Sequence, residues 1–280
     1  MRISLIVPYS DIQSIGVRIL SACLKRAGHK PRLVFLCGLN FISDGKRELA
    51  NEVPPDSLIR ELIHLCEDSD LIGFSLMTDE FTRIRSITQA IKSELSIPVI
   101  WGGVHPTIRP EECLQYADMV CVGEGEYALP ELMTALEGSH EDISIPGIWL
   151  KKNGKMISNP PWPLVKDLDL IPFPDYDCTD SYILDKGSVK PLTPELLKEY
   201  MQQHHYDLKS GTYGIMSSRG CPYKCSYCGN SFYRELYKGN YSVRRRSMEN
   251  VVEELVKVKE SFPYIKGVRF HDDTFLAASH

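Results

Sequence analysis

Five short apolar runs, Ile3 to Val7, Arg32 to Leu36, Leu71 to Leu76, Val99 to Trp101 and Met119 to Val122, punctuate the first half of the chain at strand length. Between them lie segments with helical spacing, such as Val17, Leu20, Leu24 and Ala27 before Gly28, or Leu58, Leu62, Ile63 and Cys66 after Pro54-Pro55. Strands that are apolar throughout are buried on both faces, and strands that alternate with helices imply parallel crossovers. Residues 1–137 are therefore expected to form an α/β domain, a doubly wound, five-stranded parallel sheet in the flavodoxin-like (Rossmann-like) order.

In such sheets a ligand sits at the carboxyl ends of the strands. The third strand runs into Ser75-Leu76-Met77-Thr78, the fourth into Gly102-Gly103-Val104-His105-Pro106-Thr107, and the fifth into Gly123-Glu124-Gly125-Glu126. Ser75, Thr78, Gly102, Gly103, Gly123, Glu124 and Gly125 are the candidate ligand contacts on this rim. Glycine lets backbone approach a bulky ligand, and hydroxyls can bond its polar edge. Ordinary turn chemistry accounts for the same residues equally well. A lone loop histidine such as His105 is more often a hydrogen-bonding or surface residue than a ligand.

Composition shifts at Gly138. Gly147 to Ile157 reads as a hairpin around Asn153-Gly154, and Pro160, Pro161, Pro163, Pro172 and Pro174 then mark an extended linker. Pro194 and Glu195 open a helix through Met201. Residues 138–210 are expected to connect two units. His204-His205 points to the surface, because adjacent side chains diverge on a helix.

Three of the nine cysteines crowd into Cys221-Pro222-Tyr223-Lys224-Cys225-Ser226-Tyr227-Cys228. Three thiolates at this spacing can each hold one iron of a 4Fe-4S cube and leave the fourth iron open. Zinc is the alternative, with Cys178, His204 or His205 as fourth ligand, although structural zinc sites usually pair two cysteine knuckles. Tyr213 to Ser218 reads as a strand, so the cysteine loop leaves a strand's carboxyl end as barrel active-site loops do. Met248 to Phe262 reads as an amphipathic crossover helix, followed by the apolar strand Val268-Arg269-Phe270 ending in Asp272-Asp273. Those carboxylates also fit a solvated strand end or a helix cap. Arg244-Arg245-Arg246 fits either an anion site or a solvated loop.

The Ser-Arg-Gly-Cys-x3-Cys-x2-Cys-Gly-Asn run resembles the signature of the radical S-adenosylmethionine (SAM) family. Gly-Gly-Val-His-Pro-Thr followed by Gly-Glu-Gly-Glu is similar to the cobalamin-binding-like domain that precedes many radical SAM domains, and Leu170 to Tyr176 resembles the inter-domain segment of the same proteins. The resemblance implies that Cys221, Cys225 and Cys228 ligate a 4Fe-4S cluster, that Tyr227, Asp272 and Asp273 contact SAM, and that cobalamin binds the rim of the first domain. It implies a reaction begun by cleaving SAM to a 5′-deoxyadenosyl radical, for methyl transfer or radical rearrangement of a small molecule, with a low-potential flavodoxin- or ferredoxin-type electron donor. In the methionine-synthase type of this domain a D-x-H-x-x-G loop supplies a cobalt-ligating histidine. Here Asp11-Ile12-Gln13-Ser14-Ile15-Gly16 places Gln13 at that position, and an amide is a poor cobalt ligand. Residues 211–280 are expected to be the first part of a (β/α) barrel, truncated after its second strand. The competing readings are a non-catalytic cobalamin- or cluster-binding fragment and a zinc-stapled α/β protein.

A formal charge of -5 favours neither nucleic acid nor an anionic membrane surface. No apolar stretch approaches the roughly 20 residues of a membrane span. One clustered cysteine site among scattered cysteines suits a reducing, cytoplasmic setting.

Overall fold

The computed structural model describes residues 1–9, 11–37, 54–138, 143–203, 211–238 and 240–276. The first half runs β1 (Arg2–Val7), α1 (Ile15–Arg26), β2 (Lys30–Phe35), α2 (Asp56–Cys66), β3 (Leu71–Ser75), α3 (Phe81–Glu94), β4 (Val99–Gly102), α4 (Val104–Ile108), α5 (Pro110–Cys113), β5 (Met119–Cys121) and α6 (Ala128–Glu137). All five expected strands form. They pair in parallel in the order β5-β4-β3-β1-β2, the flavodoxin-like arrangement. Alternate residues of each strand feed two cores. Ile3, Leu5, Val7, Leu33 and Phe35 pack with Val17 and Leu24 of α1 and Leu129 and Leu132 of α6. Ile6, Val34, Ile72, Phe74 and Trp101 pack with Leu58 and Leu62 of α2 and Ile84, Ile87 and Ile91 of α3. Side chains on successive strand residues point to opposite faces, so strands without polar positions need helices on both sides.

The stretch between the two units is more than a linker. The expected hairpin forms as β6 (Ile148–Lys152) and β7 (Lys155–Ser158), with Asn153 and Gly154 at positive φ as a primed two-residue turn requires. It extends the sheet antiparallel to β5. At the opposite edge β8 (Ser181–Asp185) pairs parallel to β2, and β9 (Ser188–Pro191) folds back on it across Lys186-Gly187. The sheet thus has nine strands, β7-β6-β5-β4-β3-β1-β2-β8-β9. The proline-rich segment is fastened to α1 by Arg18, which is fully buried. Its guanidinium lies 4.5 Å from the Phe35 ring centroid and 4.2 Å from that of Tyr176. It donates to the carbonyls of Ile12 and Asp175. Lys25 and Ser21 then hold the Asp175 carboxylate at 2.8 and 2.6 Å.

After α7 (Pro194–Gln203) come β10 (Thr212–Ile215), β11 (Ser218–Arg219), α8 (Gly229–Leu236), β12 (Arg244–Arg245), α9 (Met248–Ser261) and β13 (Gly267–Phe270). β10 and β13 are parallel neighbours joined through α9, one βαβ unit. The Ser247 side chain caps α9 by accepting from the Asn250 amide at 3.1 Å. The single strand expected from Tyr213 to Ser218 is broken at Met216-Ser217. The Asp272 carboxylate explains the break, since it collects the N–H groups and hydroxyls of both Ser217 and Ser218 and turns the chain out of the ladder. Arg244 and Arg245, which fit either an anion site or a solvated loop, pair antiparallel with β11. His204-His205 lies outside the described residues. Among the described residues no helix is long and apolar enough to cross a membrane.

Candidate functional site

A cavity of about 360 Å³ opens at the carboxyl ends of β1, β3, β4 and β5, where strand order reverses between β1 and β3. Its floor is apolar: Leu5, Gly73, Ile100 and Cys121 from the strands, Val17 and Leu20 from α1, and Leu129 from α6. Gly73 keeps the floor open, because a Cβ there would stand 2.8 Å from the Leu5 Cδ2. A glycine inside a buried strand weakens it and marks a place of close approach. The sequence signal for it is local, a glycine interrupting the apolar run Leu71-Ile72-Gly73-Phe74.

Six of the seven rim residues expected from the sequence, Ser75, Gly102, Gly103, Gly123, Glu124 and Gly125, line this cavity. Thr78 does not. It is exposed, and its hydroxyl lies 3.1 Å from His105 Nδ1. His105 is buried beside the Phe81 ring, with burial pushing its pKa down, and it is not in the cavity wall. Thr107 links the two glycine loops instead, donating to the Gly103 carbonyl at 2.8 Å and accepting from the Gly123 amide at 3.1 Å.

The roof comes from the second unit, through Met216, Arg219 and Tyr233. Arg219 pairs with Glu126 at 2.6 Å and Glu124 at 3.3 Å, and Arg244 grips Glu124 at 2.7 and 3.0 Å. Burial pushes the Glu124 carboxyl up, but the Arg244 hydrogen bonds and both guanidinium charges outweigh it and hold it below the usual carboxylate range. Gly123 adopts a φ of 89°, and a Cβ there would collide with the Tyr237 hydroxyl, which accepts from the Glu124 amide at 3.3 Å. Rim and roof are therefore locked together by charge and shape. These arginine contacts bridge more than 90 residues of sequence, which is why the local pattern offered Arg244 as an anion partner without naming Glu124.

Gln13 takes part in the same joint. It is 2 % exposed. Its Nε2 donates to the Thr212 carbonyl at 2.9 Å, and its Oε1 accepts from the Gly214 amide at 2.6 Å. Both ends of the amide are thus spent on the backbone of β10, the strand that leads to the cysteines.

Cys221, Cys225 and Cys228 lie on the loop between β11 and α8, partly exposed and free of disulfides. Cys23, Cys37, Cys66, Cys113 and Cys121 are buried, and burial pushes their thiols up, to about 11 for Cys66 and about 12 for Cys23, Cys113 and Cys121. The loop is shaped by its own contacts. The Cys228 amide donates to the Cys225 carbonyl at 3.1 Å, Arg234 donates to the Cys221 carbonyl at 2.7 Å, and the Cys221 sulfur lies 2.9 Å from the Thr274 hydroxyl. Among the described residues no three His, Cys, Asp or Glu side chains converge closely enough to hold an ion as they stand. Asp272 holds Ser217 and Ser218, while Asp273 accepts from the Gly220 amide at 3.2 Å. Both carboxylates thus act on the cysteine loop. The Tyr227 ring, 91 % exposed, stands clear of it.

Residues 1–133 match the model of the B12 binding domain family. An uncharacterized methyltransferase of Pyrococcus horikoshii is 31% identical over 214 residues, which cover 74% of this chain and 40% of the relative. The cobalamin-dependent SAM radical enzyme OxsB, solved with aqua-cobalamin and SAM, superposes over 99% of this chain and 34% of its own with a TM-score of 0.70 at 19% identity. The radical SAM methyltransferase TsrM of Kitasatospora setae, solved with cobalamin and a [4Fe-4S] cluster, gives a TM-score of 0.63 at 17% identity over 98% of this chain and 48% of its own. Residues 1–133 belong to the B12 binding domain family, and the chain has the fold of these cobalamin-dependent radical SAM enzymes. It spans less than half the length of each of these three relatives. The B12 binding domain is the five-stranded parallel core, and the β10-α9-β13 unit lies within the part of the chain that superposes on OxsB and TsrM.

Proposed function

We propose that the chain is part of a radical SAM enzyme that binds a 4Fe-4S cluster through Cys221, Cys225 and Cys228, cleaves SAM to a 5′-deoxyadenosyl radical, and holds cobalamin in the strand-end cavity for methyl transfer to a small molecule. The observation that carries this reading is the cavity itself, floored by the B12-binding domain and roofed by Arg219 and Tyr233, which flank the cysteine loop in sequence.

The residues fit both groups. The slot that Gly73 keeps open is apolar and reaches between sheet, α1 and α6, so it accepts a flat apolar ring. Ser75 and the loop backbone at Gly102 and Gly103 lie at its mouth to meet a polar periphery. Three partly exposed thiols on one loop, against five buried elsewhere and a lone partly exposed Cys178, are the donor set of an open cluster. When bound, the cluster supplies the electron that breaks a sulfonium carbon–sulfur bond, and cobalamin supplies a methyl carrier. The protein's part is orientation. Asp272 and Asp273 serve the SAM side by fixing the loop from Ser217 to Gly220, and the free Tyr227 ring offers a stacking face for adenine. Gln13, with both ends of its amide bonded to β10, would offer a bound cobalamin no imidazole. A low-potential donor of flavodoxin or ferredoxin type completes the electron path. Residues 1–137, 138–210 and 211–280 act as cofactor domain, connector and catalytic unit.

Anaerobic reconstitution with iron and sulfide, followed by iron counting and electron paramagnetic resonance with and without SAM, tests this. About four irons per chain with a SAM-perturbed signal is expected. Zinc without iron would refute it.

A further inference from the structure

Asn230, the second residue after the last cysteine, has an amide whose two ends face different partners. Its Nδ2 points at the Cys228 sulfur at 3.7 Å, a reasonable distance for a bond to sulfur. Its Oδ1 accepts from the Tyr241 hydroxyl. A metal-bound thiolate only accepts, so it calls for the N–H end of the amide, and the Tyr241 hydroxyl can donate to the oxygen end that is left. Tyr241 is itself held. It is buried, its ring stacks at 6.3 Å on Tyr233 and 6.5 Å on Tyr237, and the Arg234 guanidinium lies 5.5 Å from its centroid. Tyr237 in turn accepts from the Glu124 amide on the cavity rim. A continuous line of contacts therefore runs from that rim to one cysteine sulfur.

We propose that Asn230 is a positioning residue that sets the reduction potential of the cluster on Cys221, Cys225 and Cys228, with Tyr241 fixing the direction of its amide. The inference rests on the iron–sulfur reading above. Reduction adds negative charge that spreads onto the thiolate sulfurs, so an N–H aimed at Cys228 stabilises the reduced cluster and raises its midpoint potential. Asn230→Leu keeps the side-chain volume and removes the donor. Tyr241→Phe keeps the ring and the Asn230 amide but releases that amide to rotate.

The test is a potentiometric titration, read by electron paramagnetic resonance without SAM, of the reconstituted parent and both variants, with iron counted in each. N230L is expected to keep its iron and to move to a more negative midpoint, and Y241F to move the same way by less. An unchanged or more positive midpoint in iron-loaded N230L overturns the proposal, and an unchanged Y241F beside a shifted N230L removes Tyr241 from it. Should N230L lose iron, Y241F decides alone: a negative shift supports the proposal, and an unchanged midpoint overturns it. Loss of iron in both variants would assign these residues to holding the cluster, which also overturns it. A parent that binds no SAM-sensitive cluster refutes the earlier reading instead, so the two failures are distinguishable.

Discussion

The cavity rim and the cysteine loop are linked through Arg219 and Tyr233, which flank the loop and roof the cavity, yet they are held by different physics. The rim grows out of strands buried on both faces, and its glycine loops are tied by Thr107 and gripped by Arg219 and Arg244. The cysteine loop is partly exposed, leads into an α8 without a buried residue, and neighbours β13, whose residues from Val268 to Phe270 are exposed. Its shape comes from individual hydrogen bonds, those of Arg234 and Thr274 to Cys221 and of Asp273 to Gly220, with Asp272 holding the serines just before it. A rim built by burial should fail when space is lost. A loop built by hydrogen bonds should fail when a single acceptor is lost.

Cys225→Ser breaks the comparison most sharply. Iron per chain should fall from about four to near none, while the far-ultraviolet circular dichroism stays unchanged, because this half-exposed side chain supports no core. Iron retention in that variant would remove Cys225 from the cluster. Next in size is Arg18→Leu, which strands the Ile12 and Asp175 carbonyls and loses two aromatic contacts. Chemical denaturation should report a loss on the order of 3 kcal/mol. A loss within error would mean that the connector is anchored elsewhere.

Gly73→Val addresses the rim alone. Its added volume enters the cavity floor against Leu5, so retained cobalamin should drop by about tenfold or more with cluster iron unaffected. Equal loss of both groups would show that rim and loop are not separable. Asp272→Asn is the mildest and addresses only the loop. It replaces an acceptor-only group with one that presents donors to Ser217 and Ser218, at a cost of about 1 kcal/mol. Hydrogen exchange at the amides of 217 and 218 should speed up about fivefold, while the β1 and β3 amides keep their protection.

Much of this molecule was legible before folding. The five apolar runs became five parallel strands, Asn153-Gly154 became the hairpin turn, and Met248 to Phe262 became the crossover helix, because each is a periodicity or a turn preference expressed over neighbouring residues. The second hairpin, Ser181 to Pro191, was missed since Lys186-Gly187 carries a weaker turn signal than Asn-Gly. Strand-end logic put six rim residues on the cavity. It placed Thr78 there too, whereas the chain has turned away from the rim by that residue and its hydroxyl meets His105.

The amino-acid sequence by itself determined the order of the five parallel strands, the small-residue loops at their carboxyl ends and the clustering of three thiols on one loop, all of which follow from local pattern and residue chemistry. Only the tertiary structure decided how the two sites are joined. Gln13 bonds a backbone about 200 residues away, Glu124 is claimed by arginines about 95 and 120 residues on, and Asp272 reaches back about 55 residues to bend the strand before the cysteines. Such pairings depend on which polar groups burial brings face to face without water, and buried polar groups must find partners wherever the fold supplies them.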